Sequence, residues 1–159
     1  MTDARFEDGA DRPLRLIAQD AGDVPVMSAL LQDAVLSGGD LTFDRPRRRF
    51  AALLNRFRWE DRAAAEAARR PYERVRALLV VGDVMAVRSQ GIDRRDRATV
   101  MSLLSVGWTP GEDGTGEVHL VLAGDGLVTL SVEALDLRLE DVTRPYRAPS
   151  GKVPDHPLD

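Results

Sequence analysis

A chain of 159 residues, 42 of them Leu, Val, Ile or Phe, is the size of one ordinary domain and can bury roughly two-thirds of the surface its unfolded form exposes. It has no cysteine, which excludes a disulfide scaffold, a cysteine nucleophile and a cysteine-ligated zinc site, and its longest apolar runs, Phe50 to Leu54 and Ala77 to Val81, fall far short of the roughly 20 residues of a membrane helix. The net charge of −4 is unevenly spread, with residues 1–44 at −6, 45–97 at +8 and 98–159 at −6, and every basic residue but Lys152 is arginine.

Residues 1–12 are polar, acidic and without period, and read as a loose N-terminal arm. Asp3, Glu7, Asp8 and Asp11 and the lack of an apolar stretch speak against a secretory signal, so a cytoplasmic protein is expected. Leu14 to Gln19 reads as a strand. Asp23 can cap a helix with Pro25 in its first turn, where a missing N–H costs nothing, and Val24, Met27, Leu31, Ala34 and Val35 then share one face. Gly38 and Gly39 end that helix.

From there the period becomes two. Asp40 to Asp44 and Arg48 to Trp59 form a hairpin across Arg45, Pro46 and Arg47, with Phe50, Leu53, Leu54 and Phe57 on its buried side. Residues 60–71 are rich in alanine and charge but lack an apolar stripe, and read as an exposed loop with one helical turn. Glu73 to Val81 and Val84 to Gln90 read as a second hairpin across Gly82 and Asp83. A loop through Arg94, Arg95 and Arg97 leads to a strand from Thr99 to Thr109. After the glycine-rich connection of residues 110–116, Glu117 to Ala123 pairs with Leu127 to Val132. Leu135, Leu137 and Leu139 alternate with polar residues in a last, half-buried strand. Pro145, Pro149, Pro154 and Pro157 break any further ladder, which makes 144–159 a Pro-rich tail on a single domain of residues 13–143. The expected class is α+β: an antiparallel sandwich or partly closed barrel of about eight strands with one N-terminal helix packed on it.

Catalytic machinery is scarce. His119 lies in an alternating strand and reads as solvated, and His156 lies in the tail; neither has a partner at metal-ligand spacing. No serine stands in a nucleophile elbow. Gly111, Gly114 and Gly116 join two strands, whereas a phosphate cradle needs its glycines at a helix start. The adjacent carboxylates Glu60 and Asp61, and Glu140 and Asp141, read as solvated strand or loop faces with no role. No catalytic, metal or cofactor-binding residue is therefore assigned, and no cofactor is expected.

The uneven feature is arginine. Arg45, Arg47, Arg48 and Arg49 crowd one hairpin tip, and Arg88, Arg94, Arg95 and Arg97 surround a later loop. If folding unites them, they make an anion-binding or nucleic-acid-backbone-binding face, with Trp59 and Tyr72 as stacking surfaces.

Four segments are familiar: Leu53-Leu54-Asn55-Arg56-Phe57 with Trp59-Glu60, Val87-Arg88-Ser89 through Gly91-Ile92-Asp93-Arg94, Leu16 to Asp20, and Leu31 to Val35. Together the chain resembles, over about residues 14–145, a bacterial family known as domain of unknown function 2948. Pro25 departs from the family's pattern, with Asp20 the alternative cap. The resemblance implies no activity and transfers no functional residue. The function expected is a non-catalytic interaction or accessory module that meets a protein partner or a second copy of itself. Anion or nucleic-acid-backbone binding through the arginines is the alternative, with nucleic acid disfavoured by the acidic total and no membrane partner expected. An enzyme site assembled from scattered carboxylates and arginines is the third reading.

Overall fold

The computed structural model describes residues 13–154 of the chain; the expected N-terminal arm, His156 and the end of the tail lie outside the described residues. Within them run β1 (Arg15–Ala18), α1 (Val24–Leu31), β2 (Ala34–Ser37), β3 (Leu41–Asp44), β4 (Arg49–Phe57), α2 (Arg62–Ala67) and β5 (Glu73–Val81). There follow β6 (Val84–Gln90), β7 (Val100–Pro110), β8 (Gly116–Leu122), β9 (Gly126–Val132), β10 (Leu137–Asp141) and β11 (Tyr146–Arg147). The strands form one open antiparallel sheet in the order β1-β10-β5-β4-β2-β7-β8-β9-β6, with β3 also on β4 and β11 also on β5. No helix among the described residues is long and apolar enough to cross a membrane.

The antiparallel α+β class holds, but among the described residues there are eleven strands rather than about eight and two short helices rather than one. The period-two pattern explains where the core lies. Phe50, Ala52 and Leu54 on β4 register against Val81, Leu79 and Ala77 on β5, and all six are buried. Val118, Leu120 and Leu122 on β8 oppose Leu130, Val128 and Gly126 on β9 in the same way. Leu36, Ala52, Leu54, Leu79, Leu103, Leu120 and Val128 line a common interior void, so the inner faces of the curled sheet enclose one core. α1 adds Val24, Met27 and Leu31 to it.

Several elements depart from the sequence reading. α1 stops at Leu31; Asp33 takes a left-handed φ of 61° and its N–H donates to the Leu103 carbonyl, after which Ala34 and Val35 join β2 beside β7. Asp20 precedes a 3-10 turn over Ala21–Asp23 and Asp23 precedes α1, but neither side chain makes a capping hydrogen bond. The 60–71 segment contains a real helix, α2, held by the fully buried Ala65. β5 and β6 do not form a hairpin. β5 lies between β4 and β10, so both its edges are taken, and β6 pairs with β9 instead. The start of the Pro-rich tail adds β11 to β5 and buries Ala148. Leu53, expected inside, points to the outer face and is half-buried.

One inward position is charged. Arg56 follows Phe50, Ala52 and Leu54 on the inner face of β4, and its side chain is 0% exposed. Its Nε and Nη2 donate to Asp141 at 3.0 Å each, Nη1 and Nη2 donate to Glu60 at 2.8 and 2.7 Å, and Nη1 reaches the Phe57 carbonyl at 3.4 Å. All five guanidinium N–H groups are thus engaged. Asp141 occupies the matching inward position after Leu137 and Leu139 and also accepts the Leu14 N–H. The network extends through Arg58 to Glu73 and Asp61, and from Asp61 to Arg70. Glu60, Asp61 and Asp141, read from sequence as solvated, are structural counter-charges because three arginines converge on them.

Desolvation alone would push the Glu60 carboxyl up, but the hydrogen bonds and charge of Arg56 outweigh it and hold the group below its ordinary value. A lowered folded pKa stabilises the protein above the unfolded value, and that stabilisation is lost as the pH falls through the folded value. Glu60→Gln therefore flattens the acid limb of stability, measured as denaturant midpoints from neutral pH downward. Arg56→Ala, which strands Asp141 in the interior, lowers unfolding free energy by about 3–5 kcal/mol in the same measurement.

Candidate functional site

The arrangement that leaves β6 without β5 also creates a slot. Among the described residues β3 pairs only with β4 and β6 only with β9, so each has an edge without a strand partner there. The two strands line a common cavity of about 250 Å³. Its ends are closed by backbone bonds: Val84 N–H to the Arg48 carbonyl at 2.8 Å, and Gly39 N–H to the Arg97 carbonyl at 3.0 Å. The turn of residues 38–40 comes close because Gly38 has no side chain; a Cβ there would lie 2.6 Å from the Asp96 carbonyl oxygen.

The inward positions of the framing strands make the floor apolar: Leu41 and Phe43 from β3, Phe50 from β4, Val87 from β6 and Val128 from β9. Ile92, the apolar residue in an otherwise charged loop, completes it. Arg94 and Arg97 supply the rim, and Arg45 lies over the Phe43 ring at 5.3 Å from its centroid. Arg94 Nε donates to Ser89 Oγ at 3.1 Å, which anchors that guanidinium above the slot. None of these three arginines forms an ion pair with a described residue. Asp93 and Asp96 also line the cavity, yet both brace the loop. Asp93 accepts the Arg95 N–H, and Asp96 accepts the N–H groups of Ala98 and Thr99 and the Thr99 hydroxyl, which hold its carboxyl below the usual range.

The eight arginines singled out from sequence therefore do not share one face. Arg94 and Arg97 line the slot, and Arg45 lies over the Phe43 ring that forms part of its floor. Arg47 pairs with Asp44, Arg48 with Glu133, and Arg88, on the outer face of β6, with Glu117. Arg49 points out from β4 on the opposite side from Phe50, toward a separate depression with Arg138, Asp136 and Glu140. Arg95 is exposed beside the slot. Trp59 and Tyr72 pack on Phe57, with ring centroids 4.7 and 5.7 Å away, at the far end of β4, and Trp59 donates to the Gln32 carbonyl. Neither is a stacking surface for the slot. What sequence reasoning missed was the apolar floor: Phe50 read as core, and Phe43 and Val128 were not singled out.

Other features offer less chemistry. A larger groove of about 610 Å³ between α1 and β7 is lined by Val24, Pro25, Ala29, Leu104, Trp108 and neighbours without one ionisable side chain. His119 Nε2 lies 2.9 Å from Thr109 Oγ1 on the outer face of β8, and among the described residues no three His, Asp or Glu side chains cluster as a metal would need.

The fold and the slot define an α+β protein built on an open antiparallel sheet with an arginine-rimmed apolar cavity at its seam. The model of the family described as "Protein of unknown function (DUF2948)" matches residues 14–156, and the chain belongs to that family. No curated protein and no solved structure matches. Of the two main segments that carry the resemblance, the one through Asn55, Arg56 and Glu60 builds the buried ion network. The other, Val87 to Arg94, supplies Val87, Ser89, Ile92, Asp93 and Arg94 to the slot.

Gly38→Ala crowds the Asp96 carbonyl and parts one end of the frame. It costs about 1–3 kcal/mol as an overpacked site and speeds amide exchange at Gly39, whose N–H loses the Arg97 carbonyl.

Proposed function

We propose that this protein is a non-catalytic binding module whose seam between β3 and β6 takes a small molecule bearing a carboxylate or phosphate group and an apolar body. The observation that supports it is that Arg94 and Arg97 line the cavity beside an apolar floor and Arg45 lies over the Phe43 ring of that floor, none of the three in an ion pair with a described residue. Guanidinium groups recognise carboxylate and phosphate oxygens in paired geometry, and the floor of Phe43, Phe50 and Ile92 adds hydrophobic burial.

The slot's size favours a compact ligand, since about 250 Å³ lies at the small end of ligand cavities. A nucleic-acid backbone is the poorer fit. It needs cations spaced along successive phosphates, whereas Arg47, Arg48 and Arg88 are neutralised by neighbours and Arg49 faces elsewhere.

Titration of the protein with hexyl phosphate and hexanoate, followed by amide chemical shifts, tests the reading. Shifts should centre on residues 41–43 and 87–97 and weaken with added salt. Arg94→Ala and Arg97→Ala should each reduce affinity by about ten- to hundredfold, the worth of a charged hydrogen bond of about 1.5–3 kcal/mol, while Arg47→Ala leaves it unchanged. No shifts at millimolar ligand, or equal loss in all three variants, would overturn it.

A further inference from the structure

The outer faces of the sheet are unlike one another. On β8 and β9 the outward positions Glu117, His119 and Ser131, with Arg88 beside them on β6, are polar and meet water, while Val121 and Leu127 face out nearer the β8–β9 turn. On β4 and β5 the outward positions are instead apolar at the centre: Ala51 registers against Val80, and Leu53 against Leu78. All four are half-buried, and neither helix among the described residues has one of the larger sets of contacts with β5. Charge surrounds this patch in both signs. Arg138 and Glu140 lie next to Val80 and Leu78 on β10, and Arg49, Asp136, Arg138 and Glu140 rim a depression of about 310 Å³ above Leu78 and Val80. Arg15 on β1 pairs with Glu140 at the margin.

We propose that this face is the interface of a homodimer, formed when a second copy of the chain packs its β4-β5-β10 face on the first. The partner's chemistry follows from the arrangement of the rows. Ala51, Val80 and Arg138 form one row across the strands, and Leu53, Leu78 and Glu140 form the next. A twofold axis running across the strands between these rows exchanges them. It sets Val80 against the partner's Leu78, Ala51 against the partner's Leu53, and Arg138 against the partner's Glu140. The apolar centre then meets an apolar centre, and the Arg138–Glu140 pairing across the axis occurs twice, once for each copy. A self-complementary patch of this kind is what an isologous contact requires, and two sheets packed face to face through outward side chains are an ordinary β architecture. A patch of uniform sign would repel its own copy; this one does not.

The face lies on the opposite side of β4 from the slot, since Arg49, Ala51 and Leu53 point away from Phe50 and Ala52. Dimerisation and ligand binding are accordingly independent, and either can fail without the other.

Sedimentation equilibrium of the full chain over a wide concentration range tests the proposal, with exposed Arg138 and Glu140 as the probes so that folding is preserved and checked by circular dichroism. The wild type should be a dimer. Arg138→Glu alone and Glu140→Arg alone each place like charges across the axis and should raise the dimer dissociation constant by about tenfold or more. The double exchange restores opposite charges between copies and should recover the dimer, although both intramolecular pairings of those residues are then reversed. A wild type that stays monomeric to near-millimolar concentration overturns the proposal. So does a dimer indifferent to all three variants, or one that the double exchange fails to recover.

Discussion

A fully buried arginine is tolerable only if every donor it carries is answered, and the position of Arg56 makes that condition a constraint on the whole domain. Its partners come from three separate places: Glu60 from the turn after β4, Asp141 from the end of β10, and the Phe57 carbonyl from its own strand. Asp141 in turn holds the Leu14 N–H at the entrance of β1. A single side chain thus ties the first, fourth and tenth strands and the approach to α2 into one geometry. Replacing the pair by apolar residues could pack as well, but it would not demand the same register, because dispersion contacts lack the directionality of five hydrogen bonds.

With that end of the core secured, the other end is left free to open. β5 is held on both sides by β4 and β10, so the chain leaving Val81 cannot fold back beside it. It crosses instead through Gly82 and Asp83, the latter with φ of 56°, and lays β6 against β9. The slot exists because two edges, β3 and β6, face one cavity without a strand between them. Unpaired edges usually invite association; here the short β3, the arginine rim and the two backbone bonds at the ends limit what can enter.

Much of the domain was legible along the chain. The β3–β4 and β8–β9 hairpins follow from local alternation and turn residues, as does the start of α1 from Pro25. The hairpin expected at Gly82 and Asp83 shows the limit of such reading: only Asp83 takes a positive φ, and the pairing does not form. The unbroken apolar run from Ala77 to Val81 carried the missed information, since a strand apolar on both faces is suited to the middle of a sheet, with both edges occupied. Ala34 and Val35 matched a helical face equally well, and only the available edge of β7 assigned them to a strand. The charged residues were harder. Glu60, Asp61 and Asp141 are indistinguishable in sequence from surface carboxylates, and eight arginines in two clusters gave no sign that Arg94 and Arg97 would line a cavity while four were paired or turned away.

What the sequence by itself determined was the alternation, the turns, the absence of cysteine chemistry and the positive middle of the chain, because each of these is a property of a residue and its near neighbours. The tertiary structure alone decided which strand edges meet, which charges lose their water and which arginines remain without an acidic partner among the described residues. Those outcomes depend on desolvation and on competition for edges between segments far apart in the chain, as Arg56 with Asp141 and β6 with β9 show, and neither quantity is written in any local stretch of residues.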